Sequence, residues 1–233
     1  MPKIRLYLEK EIIKDQKIIL SSVQSHYLKN VMRKKNNDKV IIFNKESEWE
    51  CFLNFDKDVS VEPIKFIRLK KKIPDIWICF SLIKQKNISF LVEKVTEIGV
   101  RKIVPIETEF SEKLNLNIPR LKKIIIEAVE QSNSINLPEI VDTVKIDKLL
   151  GDWEDDRVII LCDEQGGSPI FDAKVRLKTK KIGIFIGPVG GWSFNDKNLL
   201  KKKKIFRVSL GENILKADTA AIYSLACLRA LIS

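Results

Sequence analysis

From Ile76 onward the chain repeats one pattern, a short apolar run of strand length followed by an amphipathic helical stretch. The strand-like runs cover residues 76–80, 102–106, 158–161, 182–186 and 205–210. Each is too apolar to face water, so a sheet built from them needs cover on both faces. Strands alternating with helices in this way predict a parallel α/β sheet. Between the runs, Ile88, Leu91, Val92, Val95 and Ile98 recur at helical spacing and stop at Gly99, a natural helix end. Pro119 opens a second helix with Leu121, Ile124, Ile125, Ala128 and Val129 on its apolar face. Asp218 or Thr219 caps a third that buries Ile222, Tyr223, Leu225, Ala226 and Leu228.

The first 70 residues read differently. Short extended runs at 4–8, 17–20, 39–43, 49–55 and 59–69, the last interrupted by Pro63, predict a small barrel or sandwich. Residues 22–33 form a helix, with Val23, Tyr27, Leu28 and Val31 at helical spacing and Ser21 or Ser22 as cap. The cationic run Lys70-Lys71-Lys72 followed by Ile73-Pro74-Asp75 marks an exposed junction. The domain boundary is therefore placed there, with residues 1–72 as one domain and 73–233 as the other.

Composition narrows the chemistry. One histidine, His26, leaves almost no material for a histidine-based metal site or triad. Cys51, Cys79, Cys162 and Cys227 are widely spaced, form no C-x-x-C and sit in or beside apolar sequence, so they are expected as buried thiols. No apolar stretch approaches the roughly 20 residues that span a bilayer, and the N-terminal residues lack the apolar run of a secretory signal. The expected location is the cytoplasm. Forty-two Lys and Arg against 31 Asp and Glu give a formal charge of +11, which favours a polyanionic partner through counterion release. A composition rich in Lys, Ile and Asn is also what AT-biased coding produces, so charge alone leaves nucleic acid as one of two readings.

Ligands of open parallel sheets bind beyond the carboxyl ends of the strands. Three strand-end loops stand out: residues 162–167 (CDEQGG), 187–193 (GPVGGWS) and 209–219 (SLGENILKADT). Three glycines in five residues of the second permit a close backbone approach to a ligand, although a tight turn with Ser193 or Asn195 capping the next helix explains them equally. Neither Walker A nor G-x-G-x-x-G spacing is present.

Five segments occur in a fixed order: HYLKNVMR at 26–33, Lys84 followed by EKVTEIGV at 93–100, EAVEQS at 127–132, IGPVGGWS at 186–193, and LGENILKADTA at 210–220. Together they resemble the RsmE family, bacterial 16S ribosomal RNA uridine N3-methyltransferases of the SPOUT class, over nearly the whole chain. The resemblance implies a PUA-like RNA-binding β-barrel over residues 1–72. It implies a methyltransferase domain over 73–233, whose parallel sheet carries a deep trefoil knot and which binds S-adenosylmethionine. It also implies a homodimer, no metal, and 16S ribosomal RNA in the small subunit as partner. Carried over by position, the cofactor contacts are Leu161, Gly187, Pro188, Gly190, Gly191, Leu210, Gly211, Ile214 and Leu215. The RNA contacts are His26, Lys29, Arg33, Lys34 and Lys84.

Uracil N3 carries a proton that must leave, so some group accepts it or stabilises the developing anion. Glu97, Glu130, Asp218 and Asp163 are the candidate bases, with Lys94, Lys84 or Lys216 as cationic stabilisers; Glu97, Lys94, Glu130 and Lys216 are the preferred catalytic set. A polar helix face held by ion pairs accounts for Lys94 and Glu97 as well. The chain departs from the family pattern at Val189, where a glutamate is usual, at Lys216 and Asp218 in place of arginine and glutamate, and at Phe110 and near Ser134, where an arginine is lost. Those changes leave two alternatives open: an RNA-binding member without activity, or a methyltransferase acting on another RNA.

Overall fold

The computed structural model describes residues 4–173 and 181–232. The chain divides into two compact units, residues 1–72 with 129–137, and residues 73–128 with 138–233. The expected boundary at 72/73 coincides with the first change of unit, and residues 129–137 are grouped with the N-terminal residues as well. Partly buried hydrogen bonds from Arg5 and Tyr7 hold them there.

The N-terminal unit is a five-stranded sheet of order β1-β3-β4-β5-β2, with β1 at Arg5–Tyr7, β2 at Ile18–Ile19, β3 at Lys39–Phe43, β4 at Ser47–Phe55 and β5 at Val59–Leu69. β1 joins β3 in parallel, whereas the other ladders are antiparallel. Pro63 does not end β5. It pairs with Cys51 beside a register irregularity, the setting in which a strand tolerates a residue without an N–H. Leu6, Leu28, Val40, Ile42, Cys51, Leu53 and Val61 form the core. Glu48, 3% exposed, receives Arg5 and Arg68 inside this unit. Arg5 goes on to donate to the carbonyls of Val129, Glu130 and Ser134, and the Tyr7 N–H donates to the Glu130 carboxylate at 2.8 Å.

The second unit is a parallel sheet of order β11-β13-β10-β12-β6-β7-β8, with β9 also on β7. Its strands are β6 Asp75–Ser81, β7 Lys102–Glu107, β8 Glu139–Ile140, β9 Val144–Lys145, β10 Val158–Cys162, β11 Ser168–Pro169, β12 Lys181–Ile186 and β13 Ile205–Ser209. Among the described residues the helices are α1 Ser22–His26, α2 Gln85–Ile98, α3 Ile118–Gln131, α4 Ile146–Gly151, α5 Phe194–Leu200 and α6 Ala217–Ile232. Alternation along the strands separates two faces. Cys79, Ile159, Leu161 and Phe185 join Ile146 and Leu150 of α4, Trp153, Trp192 and Leu200 of α5 in one core. α6 contacts β6 and β12 and packs on α2.

Gly183 is glycine for a visible reason: a Cβ there would lie 2.4 Å from the Trp153 ring. The same tryptophan meets Trp77 and Phe185 edge-on. Arg157 is fully buried over the Trp77 ring and donates to the Asp75 and Glu154 carboxylates. All four cysteines are free; Cys51, Cys79 and Cys162 are buried and Cys227 partly so. Burial pushes the Cys51 and Cys162 thiols up to about 12, so both are inert as nucleophiles.

α2 ends at Gly99 with φ of 100°, the conformation that glycine supplies. α6 begins one residue before the expected cap. Its first i to i−4 bond runs from the Ala220 N–H to the Lys216 carbonyl, so Asp218 lies inside the first turn.

Candidate functional site

The carboxyl ends of the four central strands β6, β10, β12 and β13 converge on a cavity of about 470 Å³. Ile83 and Lys84 follow β6, Asp163 and Glu164 follow β10, Gly187 follows β12, and the 209–218 stretch follows β13. This is where strand ends splay at a change of chain direction in an open sheet.

Each wall has its own construction. Behind β12 the chain turns at Gly191, whose N–H donates to the Pro188 carbonyl at 2.9 Å and whose φ of 75° lies in the left-handed region. Trp192 anchors that turn from below, its indole donating to the Cys162 carbonyl. A Cβ on Gly187 would stand 3.0 Å from this indole nitrogen. Ser193 then caps α5, accepting from the Asp196 N–H in a full capping box, so one of the two anticipated caps is the one used. Behind β13, residues 210–216 pass without regular structure along the cavity, with Gly211 at φ of 120° and Ile214 80% exposed.

Among the anticipated cofactor contacts, Gly187, Pro188, Gly191, Leu210, Gly211, Ile214 and Leu215 line this cavity. Leu161 and Gly190 do not. Leu161 points into the core beneath the sheet, and Gly190 stands beside Phe110 without a left-handed φ. Lys84 was grouped with the RNA contacts but stands at the cavity, where it precedes α2.

The anticipated catalytic residues separate. Lys216 and Asp218 line the cavity. Lys94 instead bonds Glu93 at 2.7 Å and Glu97 at 2.8 Å on the surface of α2, and these hydrogen bonds raise its pKa. Neither Lys94 nor Glu97 lines the cavity. Glu130 accepts the Tyr7 N–H, both residues belonging to the N-terminal unit. Asp163 reaches the cavity but is committed to the Gln165 N–H, to Arg207 at 2.9 Å and to Lys197 at 3.6 Å. Sequence reasoning did not single out Glu164, Lys86, Asn87 or Glu212, which also line the cavity. Their position beyond the strand ends was the available signal.

In the N-terminal unit, the HYLKNVMR segment is a short capped helix, Ser22–His26, running into a π turn, Tyr27–Val31. Leu28 is fully buried and pins the turn to the core. His26, Lys29 and Arg33 are exposed, and Lys34 is half-buried near Asp38. Asn30 donates to His26 Nδ1 at 2.7 Å, and Arg33 adopts a φ of 51° that turns the chain. The segment thus offers cations on a rigid knuckle, a geometry suited to phosphate contacts.

A family model described as an RNA methyltransferase domain matches residues 70–229, and one described as an RNA methyltransferase PUA domain matches residues 24–59. Ribosomal RNA small subunit methyltransferase E from Rickettsia conorii is 30% identical over 236 residues, covering 97% of this chain and 95% of that protein. The chain belongs to the ribosomal RNA small subunit methyltransferase E family. The family member from Bacillus subtilis is 27% identical over 225 residues, covering 90% and 88% of the two chains. A crystal structure of the Neisseria gonorrhoeae member, bound to S-adenosyl methionine, aligns with a TM-score of 0.90 at 21% identity over 98% of both chains. Family membership and shared fold thus extend across both units. No group of three or more His, Cys, Asp or Glu among the described residues is arranged to hold a metal. No helix among them is long and apolar enough to cross a membrane.

Proposed function

We propose that this chain transfers the methyl group of S-adenosylmethionine to N3 of a decoding-region uridine in the 16S RNA of the small ribosomal subunit. The observation that carries the reading is the cavity at the ends of β6, β10, β12 and β13, lined by the glycine and leucine positions that the family motifs assign to the cofactor. Its volume of about 470 Å³ lies inside the roughly 300–1,000 Å³ range of small-molecule sites. Side chains at Gly187 and Gly191 would press on Trp192 and Glu164, so both glycines keep the wall open. The residues present therefore fit the cofactor, with Leu210, Ile214 and Leu215 offering apolar surface to the adenine.

When bound, S-adenosylmethionine supplies an electrophilic methyl group on a sulfonium. The protein must hold uracil N3 in line with that group and accept its proton. Asp218 is the carboxylate placed for the second task. Its Oδ1 accepts the Thr219 N–H at 3.0 Å in the first turn of α6. Lys216, two residues earlier at the same cavity, stabilises negative charge growing on a uracil carbonyl. His26, Lys29, Arg33 and Lys34 supply phosphate contacts from the N-terminal unit. Lys84, at the cavity itself, meets the nucleotide that enters it.

The finer features belong to the same proposal: the N-terminal sheet closes as a PUA-like barrel, the catalytic sheet carries a trefoil knot, and the enzyme works as a cytoplasmic homodimer. Insertion of β12 between β10 and β6 supports the knot, since the chain must return through the middle of a sheet already laid down on both sides.

The deciding experiment incubates the protein and labelled cofactor with small subunits that lack the modification, followed by nucleoside analysis. Appearance of 3-methyluridine is expected. Cofactor binding without incorporation points to a member that has lost activity, and another methylated nucleoside or RNA points to a different target.

The site placement makes a second prediction. Gly191→Val forces a β-branched residue into the left-handed region, a strain of about 1–3 kcal/mol that the turn relieves by moving. Calorimetric affinity for S-adenosylmethionine should fall about tenfold or more. Gly190→Val, outside the cavity lining and 3.6 Å from Phe110 at its Cβ position, should bind near wild type. Equal losses in the two variants would move the site away from this wall.

A further inference from the structure

The cavity is bordered by four carboxylates, and their surroundings differ. Asp163 is neutralised by Arg207 and Lys197, and Asp218 bonds the first turn of α6. Glu212 sits on the exposed 210–216 stretch beside Gly211, where nothing approaches within 4 Å of a Cβ position. Glu164 is the fourth. Its Oε1 rests 3.0 Å from the point where a Gly191 Cβ would be, so the left-handed glycine both makes the turn and leaves the room that this carboxylate occupies. Among the described residues the Glu164 side chain has no hydrogen-bond or ion-pair partner. A carboxylate is an acceptor only, so what completes it must donate.

We propose that Glu164 receives the vicinal ribose hydroxyls of S-adenosylmethionine and is the residue by which the pocket selects a ribonucleoside. The proposal rests on the cofactor reading above and adds the ligand group to which this side chain answers. Among the donors of that ligand, a 2′-deoxy analogue tells the adenine amine apart, and the assignment then lies between the neutral diol and the α-ammonium. Local charge decides between them. Residues 163 and 165, on either side of Glu164, already hold two cations: Arg207 contacts Asp163, and Lys197 contacts both Asp163 and Gln165 Oε1. Two carboxylates and two cations balance, so a third cation would leave this corner with a net positive charge, whereas a neutral diol does not disturb it. A diol also presents two donors to the two oxygens of one carboxylate, the pairing by which acidic residues hold nucleoside ribose in other α/β sheets.

The test is calorimetric and independent of turnover. Wild-type protein, Glu164→Gln and Glu164→Ala are titrated with S-adenosylhomocysteine, with its 2′-deoxy analogue and with 5′-methylthioadenosine, which keeps the ribose and lacks the amino acid. Glu164 is exposed, so neither variant threatens folding. A hydrogen bond to a charged group is worth about 1.5–3 kcal/mol, so wild type should prefer the ribonucleoside by about tenfold or more. Both variants should lose that preference. The factor separating wild type from Glu164→Ala should be the same for S-adenosylhomocysteine and 5′-methylthioadenosine. Variants that keep the preference for the ribonucleoside overturn the proposal, as does a factor that vanishes with 5′-methylthioadenosine, which would assign Glu164 to the ammonium. Wild type that binds none of the three overturns the cofactor reading itself, and this inference with it.

Discussion

Asp218→Asn is expected to lower kcat for 3-methyluridine formation about 100-fold or more, with S-adenosylmethionine affinity close to wild type. The expectation follows from what N3 methylation needs and from which carboxylates are free to supply it. A positioned general base is worth about 100- to 10,000-fold. Of the four candidate bases, Glu130 is spent on the Tyr7 N–H and Asp163 on Arg207 and Gln165. Glu97 is tied to Lys94 on the face of α2, outside the cavity lining. Only Asp218 both lines the cavity and is engaged by nothing stronger than the N–H of its own neighbour, Thr219. Asparagine preserves that bond and the shape of the first turn, so a loss of rate reports on proton acceptance rather than on folding. Glu97→Gln should retain turnover. Should the asparagine variant turn over normally, or the Glu97 variant fail, the base must be sought elsewhere.

The same comparison explains which parts of the site were legible in the sequence. Cofactor-wall residues were readable because they work through backbone and shape. A glycine demanded by a left-handed turn, as at Gly191 and Gly211, leaves a mark in the sequence whatever its surroundings. The β6, β7, β10, β12 and β13 runs were equally plain, since burial on both faces leaves an unbroken apolar signature. α4, β8, β9 and β11 were not anticipated, being too short for periodicity to register.

Charged residues were another matter. Lys94, Glu97 and Glu130 carry ionisable groups of the right kind, but whether a carboxylate is a base or a tie depends on what lies opposite it in space. Glu130 is 123 residues from the amide it accepts. Glu164 shows the converse: nothing in CDEQGG sets it apart until the Gly191 turn is seen beside its carboxylate. The placement of residues 129–137 was hidden for the same reason. An amphipathic helix reads as continuous even where the division between units falls within its last turn.

The hold on that segment predicts the largest effect on stability. Glu48→Ala should destabilise the N-terminal unit by about 3–5 kcal/mol, the range measured when one partner of a buried ion pair is removed. The Glu48 side chain is 4% exposed and receives both Arg5, itself 8% exposed, and Arg68. Burial already lowers the Arg5 pKa; the bond to Glu48 opposes that shift, and the nearby Arg68 charge adds to it. Without the carboxylate, two guanidinium groups face each other with nothing between them. Arg5 stacks over Phe43 and donates to three carbonyls of residues 129–134, while Arg68 donates to the Asn133 carbonyl at 2.7 Å. The disturbance therefore reaches β1, β4, β5 and the end of α3 together. Hydrogen exchange read by mass spectrometry should show lost protection in peptides from β3 to β5 and from 129–137, with the strands of the second unit much less affected. Pairing Glu48→Leu with Arg5→Met removes both charges of the more deeply buried pair and should recover part of the loss, since a buried pair is costlier to break than to replace. Wild-type protection in Glu48→Ala would show that the pair contributes nothing and that apolar packing around Leu28 and Ile42 alone holds the unit.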